Sequence, residues 1–140
     1  MSPEKTQALI SIYPELFSNL DHRNNFYLFS FECDDGWFDL LKDLITEIKS
    51  IVAEEPVSYT DPDDQPTPLK VNQVKEKYAT LRFYTNWSND SIDQAVLRAE
   101  NRSEETCEEC GSPGKVVRTG YDWYKTLCEN CIPVSSETFL

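Results

Sequence analysis

Apolar residues along this chain follow two rhythms, one recurring every three to four positions and one alternating. Helical spacing comes first over residues 4–18, where Ala8, Leu9, Ile12, Leu16 and Phe17 share a face. Pro14 lacks the N–H that a helix interior needs, so it is expected to kink or end this helix. Residues 21–25 read as a polar turn around His22, and 26–32 (FYLFSFE) as an aromatic-rich strand. The clearest helix covers about 36–53. Trp37, Leu41, Leu44, Ile45, Ile48, Ile51 and Val52 form its apolar face, and Asp39, Lys42, Asp43, Glu47 and Lys49 lie mostly opposite. Asp34 or Asp35 is placed to cap it by accepting its free backbone N–H groups. Two strand-like runs follow at 70–77 and 81–87. Leu81, Phe83, Thr85 and Trp87 alternate with Thr80, Arg82, Tyr84 and Asn86, which predicts an antiparallel hairpin turning at 78–80. A third helix starts from a cap at Asn89, Asp90 or Ser91 and runs to about Glu105, with Ile92, Ala95, Val96 and Ala99 inward.

Residues 54–68 break both rhythms. Four prolines and five acids fall in this stretch, which predicts a long exposed loop. No run of about 18 apolar residues exists to cross a membrane, and the N-terminus shows no basic region followed by an apolar one. The element order predicts an α+β fold: a small antiparallel sheet covered by helices, with a zinc ribbon at the C-terminus. The expected division is an α+β domain over 1–105, the ribbon over 106–132 packed on it, and a loose tail over 133–140. A chain of 140 residues can bury a real core.

The ribbon is read from four cysteines. Cys107-Glu-Glu-Cys110 is followed, after seventeen residues, by Cys128-Glu-Asn-Cys131. Two residues between paired cysteines let one tight turn aim both sulfurs at one ion, and Zn2+ takes four thiolates tetrahedrally. Gly111 and Gly114 bracket Ser112-Pro113, as a knuckle needing positive φ would require. Residues 115–118 and 123–127 read as strands joined near Gly120. A redox dithiol is the competing reading of one such pair, but two pairs at ribbon distance argue against it. A closed four-thiolate site has no open coordination position, so a structural role is expected. Reduced cysteines and zinc without an export signal point to the cytoplasm.

Charge changes the picture. The formal net charge is −12. Four thiolates and one Zn2+ would bring it to about −14. Residues 32–64 hold eleven acids against Lys42 and Lys49, a local net of −9. A basic protein surface is therefore a better partner than a phosphate backbone, whose binding relies on Lys and Arg. The candidate partner contacts are Asp34, Asp35, Asp39, Asp43, Glu47, Asp61, Asp63 and Asp64. Catalysis finds little support. His22 is the one histidine, Cys33 reads as a core thiol, and no phosphate-cradling glycine loop is present. A carboxylate magnesium site from Asp34, Asp35 and Glu76, with Lys75 or Lys77, is the best enzymatic candidate, and its spacing does not favour it.

Three ordered blocks carry a resemblance: residues 33–41 (CDDGWFDLL), 73–84 (QVKEKYATLRFY), and 106–111 (TCEECG) with 123–128 (WYKTLC). They resemble a family of small uncharacterised bacterial and phage proteins that end in a four-cysteine zinc ribbon. The similarity spans about 13–131 and implies the zinc site and the cytoplasmic setting, but no activity and no catalytic residue. Together with the charge, it leads to the expectation of a non-enzymatic acidic protein that binds and inhibits a partner protein, either as a phage inhibitor of bacterial defence or as an immunity-type protein. The alternative is a nucleic-acid-associated accessory factor using Lys115, Arg118, Lys125 and Tyr124, with Arg82 and Lys75 near. Against it, residues 104–140 hold seven acids and three bases.

Overall fold

The computed structural model describes residues 1–17, 29–55, 59–60, 66–120, 123–133 and 137–138. The expected polar turn with His22, the first part of the strand expected over 26–32, and Asp61, Asp63 and Asp64 lie outside the described residues.

The expected α+β architecture is present. Helix α1 (Pro3–Ile12) starts from Ser2, whose side chain accepts the Lys5 amide at 3.3 Å, with Pro3 in the first turn where its missing N–H costs nothing. Pro14 ends it, and one 3₁₀ turn (Pro14–Phe17) follows, burying Leu16 and Phe17. Strand β1 (Phe31–Glu32) places Phe31 in a cluster with Phe17 and Phe29, the ring centroids lying 5.0–5.6 Å apart. A 3₁₀ turn (Asp35–Trp37) then leads into α2 (Phe38–Glu54), which buries Leu40, Leu41, Leu44, Ile45 and Ile48. Within the expected 54–68 loop, β2 (Tyr59–Thr60) pairs antiparallel with β3 (Pro66–Thr67).

Strands β4 (Val71–Lys77) and β5 (Thr80–Thr85) form the expected hairpin, with Val74 opposite Phe83. Its two-residue turn has φ +52° at Tyr78 and +71° at Ala79, so two non-glycine residues sit in the left-handed region. Strand β1 lies on the other side of β4 and runs parallel to it, Phe31 opposite Val74, so the central sheet is mixed. Helix α3 (Asp90–Ser103) is capped by Asn89, whose side chain accepts the Ile92 amide at 2.9 Å. Its C-terminal Ser103 is buried, and Ser103 Oγ accepts the outward-facing Leu81 amide of edge strand β5 at 2.9 Å. That bond satisfies a group on an edge that would otherwise invite another strand. The buried faces of the three helices and of the sheet meet in one core.

The C-terminal module contains β6 (Lys115–Gly120), β7 (Trp123–Leu127) and β8 (Glu137–Thr138), in the order β7-β6-β8. Residues 137–138, expected in a loose tail, thus pair with Val117 and Arg118. Module and domain meet at Gly36. Its amide donates to the Glu108 carbonyl at 2.7 Å, and a Cβ there would come within 2.2 Å of the Cys107 carbonyl oxygen and 2.4 Å of that of Glu108. Trp37, fully buried, donates its indole N–H to the Thr106 carbonyl at 3.0 Å. Gly36→Ala is expected to cost about 2–4 kcal/mol, because two backbones would have to part. Urea denaturation of the metal-loaded protein measures it; a change under about 0.5 kcal/mol would show that the crossing has room to relax.

Candidate metal centre

Two knuckles are built from backbone hydrogen bonds. In the first, the Cys107 amide donates to the Ser112 carbonyl at 2.7 Å, and the Gly111 amide donates to the Cys107 carbonyl at 2.9 Å. Gly111 has φ +85°, which glycine adopts without the penalty of a Cβ. Gly114, expected to need positive φ as well, does not show it. Its constraint is space, since a Cβ would meet the Leu127 carbonyl group at 2.9 Å. In the second knuckle, the Cys131 amide donates to the Cys128 carbonyl at 3.0 Å.

These turns bring the sulfurs of Cys107, Cys110, Cys128 and Cys131 within 4.8 Å of one another, and Cys110 and Cys128 lie 3.5 Å apart. A tetrahedral ion about 2.3 Å from each thiolate, as for Zn2+, needs sulfurs about 3.8 Å apart. The four therefore fit one metal ion. Cys110 is pulled down to about 6, first by the Ser112 hydroxyl and amide and then by its neighbouring cysteines, while Cys131 is pushed up by its hydrogen bond with Cys128. A bound cation would favour four thiolates at once. Four protein ligands leave no position for water or substrate, so the arrangement suits holding the fold.

The centre is embedded in its surroundings. Cys107, Val117, Leu127 and Cys128 form the module's own small core, too little to hold a fold alone. Glu108, between the first two ligands, is buried. Its Oε2 accepts the Asp34 amide at 3.0 Å, and Oε1 has no hydrogen-bond partner among the described residues. Burial pushes its carboxyl up to about 7. Thr126, also buried, donates to the Ala79 carbonyl at 2.8 Å and ties the module to the β4–β5 turn.

Four of the five described candidate contacts in the acidic stretch form ion pairs within the chain while staying partly or fully exposed. Neither Asp34 nor Asp35, the two expected caps of α2, makes a side-chain cap bond to it: Asp34, at the start of the 3₁₀ turn, makes none, and the N-cap of α2 is Trp37. Asp34 pairs instead with Lys125 at 3.0 Å. Asp35 accepts the Ser2 amide at 2.8 Å and lies 3.7 Å from Lys5. Asp43 pairs with Arg102 at 2.7 Å, and Glu47 pairs with Arg98, joining α2 to α3. Asp39 alone of the described five is exposed with no ion pair. Asp34, Asp35 and Glu76 do not converge. Among the described residues, the four cysteines are the one group of three or more metal-ligating side chains brought together. Of the nucleic-acid candidates, Arg118 stands opposite Tyr124 and Lys75 opposite Arg82 in their ladders, while Lys125 is held by Asp34 and by Glu109 at 3.8 Å. Glu108 and Thr126 escaped sequence reading because nothing local marks a Glu or Thr for burial.

Cys33 is buried, as expected of a core thiol. Burial, then the nearby Glu108, pushes it up to about 12.

Replacing Cys107 and Cys110 together by Ser is expected to remove one equivalent of bound metal and to lower Tm by more than about 10 °C, because metal binding is part of the folding free energy. Elemental analysis and calorimetry on the same sample test this, and retained metal with an unchanged Tm would dismantle the site. For Cys33 the neutral thiol is favoured by folding. Its contribution is therefore full below the ordinary thiol value of 9 and is lost as pH rises from there toward 12. Wild type should lose stability relative to Cys33→Ala between pH 9 and 11, and iodoacetamide at pH 8 should leave Cys33 unmodified in the folded chain. Parallel stability curves and rapid alkylation would contradict this placement.

No family model, curated protein or solved structure matches the chain.

Proposed function

We propose that this protein is a non-enzymatic binding protein, held together by a structural Zn2+, that docks on a basic surface of a partner protein and blocks it. Zinc is the ion for a closed site of four thiolates because it prefers tetrahedral sulfur and has no redox chemistry to manage. The observation that carries the partner reading is the charge. With 25 acids against 13 bases, internal pairing cannot neutralise the chain. Asp34, Asp35, Asp43 and Glu47 each sit in an exposed ion pair within the chain, and the net −12 remains as a field around the whole molecule. Such a field speeds encounter with basic surfaces and disfavours a phosphate backbone. An acidic protein competes well for a surface that otherwise holds nucleic acid. An inhibitor of a bacterial defence complex, or an immunity protein against a toxin, is the concrete form, in keeping with the resemblance to small bacterial and phage proteins. Its setting is cytoplasmic. No helix among the described residues is long and apolar enough to cross a membrane.

A tagged, zinc-loaded sample passed over bacterial lysate should retain one protein in stoichiometric amount at about 50 mM salt and lose it at about 500 mM, where surface charges are screened within a few ångströms. The purified partner should then bind with an association rate that falls steeply with salt. Recovery of nucleic acid and no protein would replace this reading with that of an accessory factor on nucleic acid.

A further inference from the structure

The turn of the β4–β5 hairpin and the start of β7 face each other across a depression of about 310 Å³ lined by Glu76, Lys77, Tyr78, Trp123 and Tyr124. We propose that this groove is the contact site for the partner, and that it receives an arginine or lysine side chain of that protein between the aromatic faces, with Glu76 as counter-charge. The inference rests on the basic-partner reading above and names its site.

Three observations converge on it. Trp123 is 60% exposed and Tyr78 67% exposed, and the two line the same depression, where paired aromatic rings make a ready anchor site. Tyr78 also holds a left-handed backbone at φ +52°, where glycine or asparagine would sit with less strain. Its neighbour Ala79 is at φ +71° for a visible structural reason, being fully buried with its carbonyl bound by Thr126. No such reason applies to the exposed Tyr78 ring. The ring already takes a cation, because the Lys77 ammonium lies 6.0 Å from its centroid. An incoming side chain would compete with that internal one.

Charge decides what fits. Aromatic faces attract guanidinium and ammonium groups, and also stack nucleic-acid bases. Glu76 lines the groove, and its Oε2 accepts the Ala79 amide at 2.8 Å, which leaves its other oxygen for a cation. Nearby, Glu104 accepts a hydrogen bond from Thr80 at the other end of the turn. Lys125, beside Tyr124, is offset by Asp34 and Glu109. Lys77 is on the rim and Arg118 stands opposite Tyr124 in the β6–β7 ladder, within a chain of net charge −12. The overall field and the Glu76 carboxylate favour a cationic side chain over a phosphate.

The test uses the full zinc-loaded chain and NMR titration with the peptide Gly-Ser-Arg-Ser-Gly, with its citrulline counterpart, and with a single-stranded dT 12-mer. The arginine peptide should shift the Trp123 indole N–H signal and bind about tenfold more tightly than the citrulline peptide. Tyr78→Gly suits the backbone there, so Tm should hold or rise while affinity for the arginine peptide falls about tenfold. Trp123→Ala should give the same loss, and Glu76→Gln, which keeps an acceptor for the Ala79 amide, about a fivefold loss. Unaltered affinity in Tyr78→Gly and Trp123→Ala would overturn the groove while leaving the salt-sensitive partner of the previous section standing. Loss of that partner from wild type would instead remove the basic-partner reading itself. A fall in Tm for Tyr78→Gly would make the ring structural and overturn the proposal, as would tighter binding of dT at the same signals.

Discussion

The close crossing of two backbones at Gly36 is the constraint on which the rest of the structure depends. Glycine permits it, and the hydrogen bond from its amide to the Glu108 carbonyl fixes the distance. The consequences spread to both ends of the chain. The first metal knuckle begins at Cys107 and α2 begins at Phe38, so a single contact positions both. The N-terminal amine reaches the Cys33 carbonyl at 2.7 Å, and the Ser2 amide reaches Asp35. Lys125 of β7 closes on Asp34 from the other side. The module's own core is four buried residues, so its packing is too little to hold it alone. The first knuckle and the residue before it offer carbonyls to residues 36 and 37, and an ion held by the four cysteines would fix both knuckles in that place.

The same junction explains why the acids are hard to assign one by one. In a chain so rich in carboxylates, four cations are claimed where two elements meet: Lys5 by Asp35, Lys125 by Asp34, Arg98 by Glu47 and Arg102 by Asp43. These exposed pairs contribute little stability individually. Their effect is to define which helix faces which, while the excess of acids sets a field that is diffuse and unselective. A field of that kind brings partners together without choosing among them. Choice needs shaped, desolvated contacts, which aromatic side chains provide more readily than carboxylates.

Sequence reading succeeded wherever the signal was local. The 3.6-residue rhythm gave α2 and α3, Asn89 marked its own cap, Pro14 ended α1, and the cysteine spacing singled out the four sulfurs that converge. It failed wherever the cause lay far along the chain. Strand β1 pairs in parallel with a segment some forty residues away, a choice that alternation within either strand cannot reveal. Asp34 and Asp35 look like caps because helix starts favour aspartate. Their actual partners are Lys125 and Ser2, 91 and 33 positions distant. Gly114 was read as a conformational glycine and is a packing one, a distinction that only the approach of Leu127 makes.

The β4–β5 turn shows how far a physical reading can separate structure from use. Two successive residues in the left-handed region would ordinarily be asparagine and glycine. Ala79 accounts for its own strain, because a buried methyl group and a carbonyl bound by Thr126 join the hairpin to the metal module. A bulkier residue could not be buried there, and a glycine would leave the contact unfilled. Tyr78 accounts for nothing of the kind. Its ring projects into solvent beside Trp123, and the fold would form as well, or better, with a smaller residue in its place. Strain that the interior does not need points outward, to whatever the exposed ring meets when the protein is bound.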